Sequence, residues 1–209
     1  MKTNKIVNTS RNATNEYYSK KANEYFETTQ NIDTTEICSK FENLLKNSIK
    51  KKEDLVILDL GCGSGRDSSY LKKKKLNVIS SDFSFELLKL CKKKNNDKTV
   101  NLDFNNIPFK KEIFTGIFAN ASLLHLPKKT INEVLNSLKI ILKKNGILFF
   151  TLKQGEKETS DECGRFFSLY SVSEIKKIIK ETEFNILSIT VSDSIDGRNL
   201  KWITVCCKK

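Results

Sequence analysis

Proline and glycine are scarce, at two and eight in 209 residues. Collagen-like, fibrous and linker-dominated chains need far more of both, so those classes are excluded. Histidine occurs once, at His125, and the six cysteines (Cys38, Cys62, Cys91, Cys163, Cys206, Cys207) contain no C-x-x-C pair. A zinc site or disulfide framework therefore has no evident ligand set; the expectation is reduced thiols and no metal. No apolar run approaches the roughly 20 residues of a membrane helix. Met1–Ser10 carries no apolar segment of the kind a secretory leader needs. These absences predict a soluble, cytoplasmic protein without a membrane partner. Cys206 and Cys207 are adjacent and should alternate on a strand, one inward and one outward.

Arginine is also rare: 33 of the 37 basic residues are lysine, against 25 acids, for a net charge of +12. That charge invites a nucleic-acid partner. Yet the lysine runs (50–52, 72–75, 92–94, 128–129, 143–144, 176–177) are scattered along the whole chain, as solvated helix ends and a compositional bias would leave them. What is present is globular: 38% hydrophobic and 30% charged residues. A chain this long buries about 70% of its unfolded surface and fits one domain.

Short apolar runs alternate with amphipathic stretches, the pattern of strand–helix units. Strands are predicted at 55–59, 77–82, 99–103, 114–120 and 146–152, with 184–191 and 200–207 as a closing hairpin. The first ones are apolar on both faces, as buried parallel strands are. Helices are predicted at Ser84–Lys94, with Ser84 as cap, at Thr130–Lys144, stopped by Asn145-Gly146, and at Ser173–Thr182. The polar segment from Leu152 to Tyr170 reads as loop. The predicted fold is α/β, a Rossmann-like doubly wound seven-stranded sheet, mostly parallel with a closing antiparallel β-hairpin and helices on both faces. Residues 1–50 read as an N-terminal helical extension of the 51–209 core rather than as a domain of their own, with Tyr18, Ala22 and Tyr25 on one face.

The most informative stretch joins the first strand to the first helix: Asp59-Leu60-Gly61-Cys62-Gly63-Ser64-Gly65-Arg66-Asp67. A glycine-rich turn there lets a ligand approach the backbone and offers it amide N–H groups. Dinucleotide folds use G-x-G-x-x-G, but Arg66 stands where that third glycine would be. Strand-Asp-x-Gly-x-Gly-x-Gly instead resembles motif I of the class I S-adenosylmethionine-dependent methyltransferases. Asp82 at the end of the second strand and Asp103-Phe104 at the end of the third extend the resemblance. With Asn120-Ala121-Ser122-Leu123-Leu124-His125-Leu126-Pro127 and the aromatic N-terminal helix, the chain is similar to small bacterial methyltransferases often labelled tellurite-resistance-like.

The resemblance implies S-adenosylmethionine as cofactor, with S-adenosylhomocysteine as product. It implies Asp59 and the Gly61–Cys62–Gly63 backbone at the methionine part, Asp82 at the ribose and Asp103-Phe104 at the adenine. Asn120 would lie beside the methionine tail, and Phe83 and Tyr25 would also contact the cofactor. The cofactor is a sulfonium cation, so nearby carboxylates attract it.

Ligands of parallel α/β sheets lie beyond the carboxyl ends of the strands. The acceptor's neighbours are then Ser122 and His125 after strand four, Lys153 and Arg165 after strand five, and Arg198 and Trp202 at the final hairpin, with Tyr18 on the N-terminal helix. Any imidazole base must be His125; alternatively it is a structural histidine under the pocket. Arg165 and Arg198 suit an anionic group on a small acceptor, or else form salt bridges with Glu156, Glu158 or Asp161. Tyr18, Tyr25 and Trp202 wall the pocket or are simple core. The function expected is methyl transfer to a small molecule by direct displacement. RNA methylation and a non-catalytic cofactor-binding module are the alternatives. Asn120-Ala121-Ser122-Leu123 lacks the Pro-Pro-aromatic motif of base N-methyltransferases, and fold alone does not choose among the three.

Overall fold

The computed structural model describes residues 2–49, 55–95, 98–194 and 199–209. Its main sheet has seven strands in the order β3-β2-β1-β4-β5-β9-β8. These are β1 (Val56–Leu60), β2 (Asn77–Asp82), β3 (Lys98–Asn101), β4 (Phe114–Ala119), β5 (Leu142–Lys153), β8 (Asn185–Asp193) and β9 (Lys201–Lys208). The pairs from β3 to β5 are parallel, and β9 is antiparallel to both β5 and β8. This is the Rossmann-like, doubly wound arrangement with an antiparallel closing hairpin that the alternating runs predict.

Side-chain alternation divides the core into two layers. Ile57, Phe118 and Phe149 face one way, toward Phe41 and Leu45 of α3 (Thr35–Ser48) and Leu71 of α4 (Arg66–Lys73). Leu58, Ile117 and Leu148 face the other way, toward α6 (Ile131–Ile141) and α7 (Val172–Glu181). Helix α6 forms because Ile131, Val134, Leu135, Leu138 and Ile141 recur at three- and four-residue spacing, and all five are buried. Helix α7 is fixed at its start by a capping box, Ser171 with Glu174. Helix α5 (Phe85–Asn95) begins after Ser84, whose Oγ accepts from Leu87 N at 3.4 Å.

Three expectations need correction. Helix α6 stops at Ile141, because Leu142 is already extended (φ −73°, ψ 137°). Asn145, at φ +65°, therefore turns the chain within β5 instead of capping a helix. The polar segment after β5 is not all loop: β6 (Glu158–Ser160) and β7 (Phe166–Ser168) pair antiparallel as a small second sheet. Cys206 and Cys207 do alternate, but helices cover both faces, so both are buried, one in each core layer.

The N-terminal residues form α1 (Lys2–Lys20), α2 (Ala22–Thr29) and α3. Helix α3 packs onto the sheet, whereas α1 and α2 lie against α5. Helix α1 is tied down by Phe166 N donating to Thr14 Oγ1 at 2.9 Å and by a Ser19–Ser84 hydroxyl contact at 3.2 Å. It thereby roofs the ends of β1, β2 and β4. Among the described residues no helix is long and apolar enough to cross a membrane, and no cluster of three or more His, Cys, Asp or Glu is arranged to hold a metal ion.

Candidate active site

The glycine turn is anchored through backbone bonds. Gly61 N and Cys62 N both donate to Ser81 O at 2.8 Å, and Gly63 N donates to Asp82 Oδ2 at 2.9 Å. Gly61 has φ +77° and passes so close to the β4 loop that a Cβ there would stand 2.3 Å from Ser122 Cβ. Only glycine combines that conformation with that approach. Ser122 is held in place by donating to Leu60 O at 2.7 Å. Asp82 also accepts from Ser84 N through Oδ1 at 2.8 Å, which couples the turn to the start of α5. Burial raises the Asp82 pKa, and the backbone donors Ser84, Gly63 and Phe83 oppose the shift.

Beside this turn lies a cleft of about 730 Å³, lined by Gly61, Gly63, Asp82, Phe83, Asp103, Phe104, Ser122 and the α1 residues Arg11, Asn15 and Tyr18. Asp103 is engaged twice: its Oδ2 pairs with Arg11 Nη1 at 2.6 Å, and its Oδ1 accepts from Asn105 N and Nδ2 at 3.0 Å.

A second cavity of about 990 Å³ shares Tyr18, Tyr25, Ala121 and His125 with the first. Asn120, Lys153, Arg165 and Trp202 line it, together with Arg66 and Phe167. Ala121, at the junction, holds φ +53°, an uncommon conformation for a residue with a Cβ, and its N–H donates to Thr151 Oγ1 at 2.7 Å.

His125 sits between the two spaces with both ring nitrogens engaged. Nδ1 lies 2.6 Å from Phe166 O, which can only accept, so Nδ1 carries the proton. Nε2 is then the acceptor of the Tyr18 hydroxyl at 3.0 Å. Burial pulls the His125 pKa down to about 4; the Phe166 carbonyl opposes this, while Lys153 and Arg165 reinforce it. The ring is neutral at physiological pH. Burial also pushes the Tyr18 and Tyr25 hydroxyls above the usual phenol range.

Each cation of the second cavity has a contact of its own. Arg165 pairs with Asp161 at 2.7 Å and lies 4.6 Å from the Tyr17 ring centre. Lys153 Nζ lies 3.6 Å from the centre of the Phe167 ring. Arg66 pairs with Asp67 at 2.7 Å. Of the two arginine readings, salt bridging to Asp161 is therefore present, on a side chain that also faces the cavity. Trp202 Nε1 donates to Ser194 Oγ at 3.3 Å. Arg198 lies outside the described residues.

Two residues expected at the ligand are not on either cavity wall. Asp59 is buried beneath the turn, where it accepts from Ser68 Oγ. Burial and the neighbouring Asp67 drive its pKa well up. The strand-end acid thus fastens α4 to β1 rather than facing a ligand. Cys62 turns toward α5, with Sγ 4.0 Å from Cys91 Sγ. Asn120 does face the second cavity, but its carboxamide is already committed: Nδ2 donates to Asp67 Oδ2 at 2.9 Å and Oδ1 accepts from Thr151 at 2.8 Å. Burial alone would raise the Asp67 pKa, yet Arg66, Asn120 and Thr34 hold it below the usual range. Asp67, Arg11 and Asn15 escaped the sequence reading. Stepping back along α1 from Tyr18 by three and seven residues would have found Asn15 and Arg11.

The donor set fits a purine nucleoside with an amino-acid tail: a turn whose Gly61 cradle a Cβ would fill, acceptor carboxylates at the next two strand ends, and Phe83 and Phe104 beside them. Comparison with known proteins agrees. A methyltransferase-domain family model matches residues 58–150. The ubiquinone/menaquinone biosynthesis C-methyltransferase of Wigglesworthia glossinidia brevipalpis is 30% identical over 192 aligned residues, covering 74% of this chain and 77% of that protein. The chain spans 64% and 50% of the lengths of two uncharacterised Methanocaldococcus jannaschii relatives, at 28% and 30% identity. The Burkholderia thailandensis 1,6-didemethyltoxoflavin-N1-methyltransferase, solved with 1,6-didemethyltoxoflavin and S-adenosylhomocysteine, has the same fold: the TM-score is 0.79 at 14% identity, over 97% of this chain and 90% of that one. Magnesium protoporphyrin IX methyltransferase from Synechocystis, solved with S-adenosylmethionine, gives 0.70 at 14% identity, over 96% and 97%. The chain belongs to the class I S-adenosylmethionine-dependent methyltransferases.

Proposed function

We propose that the protein transfers the methyl group of S-adenosylmethionine to a small acceptor carrying an anionic group, bound in the second cavity. The observation that carries this reading is the junction itself: the cofactor cleft shares Tyr18, Tyr25, Ala121 and His125 with an aromatic-walled chamber lined by Arg66, Lys153 and Arg165. The relatives' names span carbon, oxygen and nitrogen methylation, so the acceptor is argued from this chamber's chemistry.

Gly61, Gly63, Asp82, Phe83, Asp103 and Phe104 hold the cofactor in this reading, with the carboxylates accepting from nucleoside hydroxyl and amino groups. When bound, S-adenosylmethionine supplies a methyl group already activated by its sulfonium, so alignment and exclusion of water do most of the work. Tyr18 and Tyr25 wall both spaces and position the acceptor between them. Arg165 and Lys153 attract its anionic group. An acceptor hydroxyl or amine donates to Tyr18 Oη, whose own hydrogen is directed to His125 Nε2, so Tyr18 orients the nucleophile while the neutral His125, with a pKa of about 4, holds the tyrosine and does not take up the proton.

The +12 charge supports RNA as the second reading. Incubation with methyl-labelled S-adenosylmethionine and a cell extract split into RNA, protein and small-molecule fractions separates the two. Label in small molecules supports the proposal. Label in RNA, with binding that weakens steeply as salt rises, overturns it in favour of the second reading. Tight cofactor binding with no labelled fraction indicates a non-catalytic binding module.

A further inference from the structure

Among the described residues, the buried side-chain atoms without a hydrogen-bond partner are Arg11 Nε, Asn15 Oδ1 and Tyr170 Oη. Two of the three lie on α1, four residues and therefore about one turn apart on the same helix face. Both residues line the cofactor cleft. A folded protein leaves few buried polar groups unpaired, because each costs its full desolvation. Two on residues of one cavity wall are positions where polar groups that the chain itself does not supply would relieve that cost.

Their chemistry is complementary to what the strand ends provide. Asp82 and Asp103, when ionised, only accept hydrogen bonds, whereas the ring nitrogens of a purine are acceptors and need a donor. Arg11 Nε carries such a hydrogen, and Asn15 Oδ1 accepts one. Their order along the helix follows the cleft. Arg11 sits at the Asp103 end, with its guanidinium 5.6 Å from the centre of the Phe83 ring. Tyr18 sits at the His125 junction, about 10 Å further along the axis at 1.5 Å per residue.

We infer that α1 forms the second wall of the nucleoside site: Arg11 Nε donates to a purine ring nitrogen, and Asn15 Oδ1 accepts from a hydroxyl or amino hydrogen of the same nucleoside. This rests on the S-adenosylmethionine reading above. The N-terminal helix is then a binding element for the cofactor as well as a roof over it.

Calorimetric titration of S-adenosylhomocysteine into the full chain tests it, alongside the unliganded Tm of each variant. Asn15→Leu keeps the side-chain size and removes the unpaired atom. It should raise Kd about tenfold or more while leaving the unliganded Tm unchanged or higher. Arg11→Lys retains a cation for Asp103 but lacks the Nε hydrogen, and should raise Kd similarly with little change in Tm. Unchanged Kd in both variants beside a wild type that binds overturns this inference and leaves the cofactor reading intact. A lowered Tm with unchanged Kd for Asn15→Leu assigns that residue a structural role and overturns its part. A wild type that gives no heat with S-adenosylhomocysteine overturns the cofactor reading and, with it, this one.

Discussion

The hydroxyl of Tyr18 donates to His125 Nε2 at 3.0 Å, and both residues line the two cavities. The contact also fixes the histidine's state: with Nδ1–H held by Phe166 O, the ring is a neutral acceptor with a pKa near 4.

That depressed pKa has a definite consequence for stability. The unfolded chain's histidine titrates near 6.5 and the folded one near 4, so between those values the unfolded state binds more protons. The contribution is complete above pH 6.5 and is lost as pH falls toward 4. Wild-type Tm should therefore drop more than that of His125→Asn between pH 7.5 and 4.5. Parallel curves would refute the buried neutral ring.

Gly61 and Gly63 should respond differently to alanine. At Gly61 the new Cβ meets Ser122 Cβ at 2.3 Å in a left-handed backbone, whereas at Gly63 it meets Tyr25 at an ordinary 3.5 Å. Gly61→Ala should cost about 2–4 kcal/mol, a fall in Tm of roughly 4–16 °C. Gly63→Ala should cost only its left-handed strain, about 1–2 kcal/mol. Thermal melts of both variants check the order, and equal losses would contradict the geometry.

Much of this was legible in the sequence. Apolar runs marked β1, β4 and β5 because strands buried on both faces leave no polar alternation to confuse the reading. The turn and Asp82 were legible because glycine at positive φ and a strand-end acid are local requirements. Asp59 was misplaced because a strand-end acid can turn to the ligand or to the following helix, and only the position of Ser68 decides which. Arg11 and Asn15 were missed because the cleft face of α1 is polar and leaves no apolar stripe. The β6–β7 hairpin is three residues a side and carries no hydrophobic alternation on β6.

Asp82 should be the most sensitive of the strand-end acids. Its carboxylate binds Gly63 N and Ser84 N together, and Asp82→Asn replaces one acceptor oxygen with a donor that faces an N–H. Cofactor affinity should fall about 10- to 100-fold. Equilibrium dialysis with labelled S-adenosylmethionine measures it, and a loss under twofold would remove Asp82 from the site.

Arg165 should act on the other substrate. Arg165→Ala should raise the acceptor KM with cofactor Kd unchanged, once the extract experiment has identified an acceptor. An unaltered KM would reduce Arg165 to its ion pair with Asp161.

The most direct test is a crystal structure with S-adenosylhomocysteine. The nucleoside is predicted against Gly61 and Gly63, with its ribose at Asp82 and its purine between the Phe83–Phe104 region and α1. Nucleoside density in the second cavity, or a nicotinamide or flavin nucleotide occupying the glycine turn in its place, would contradict the account.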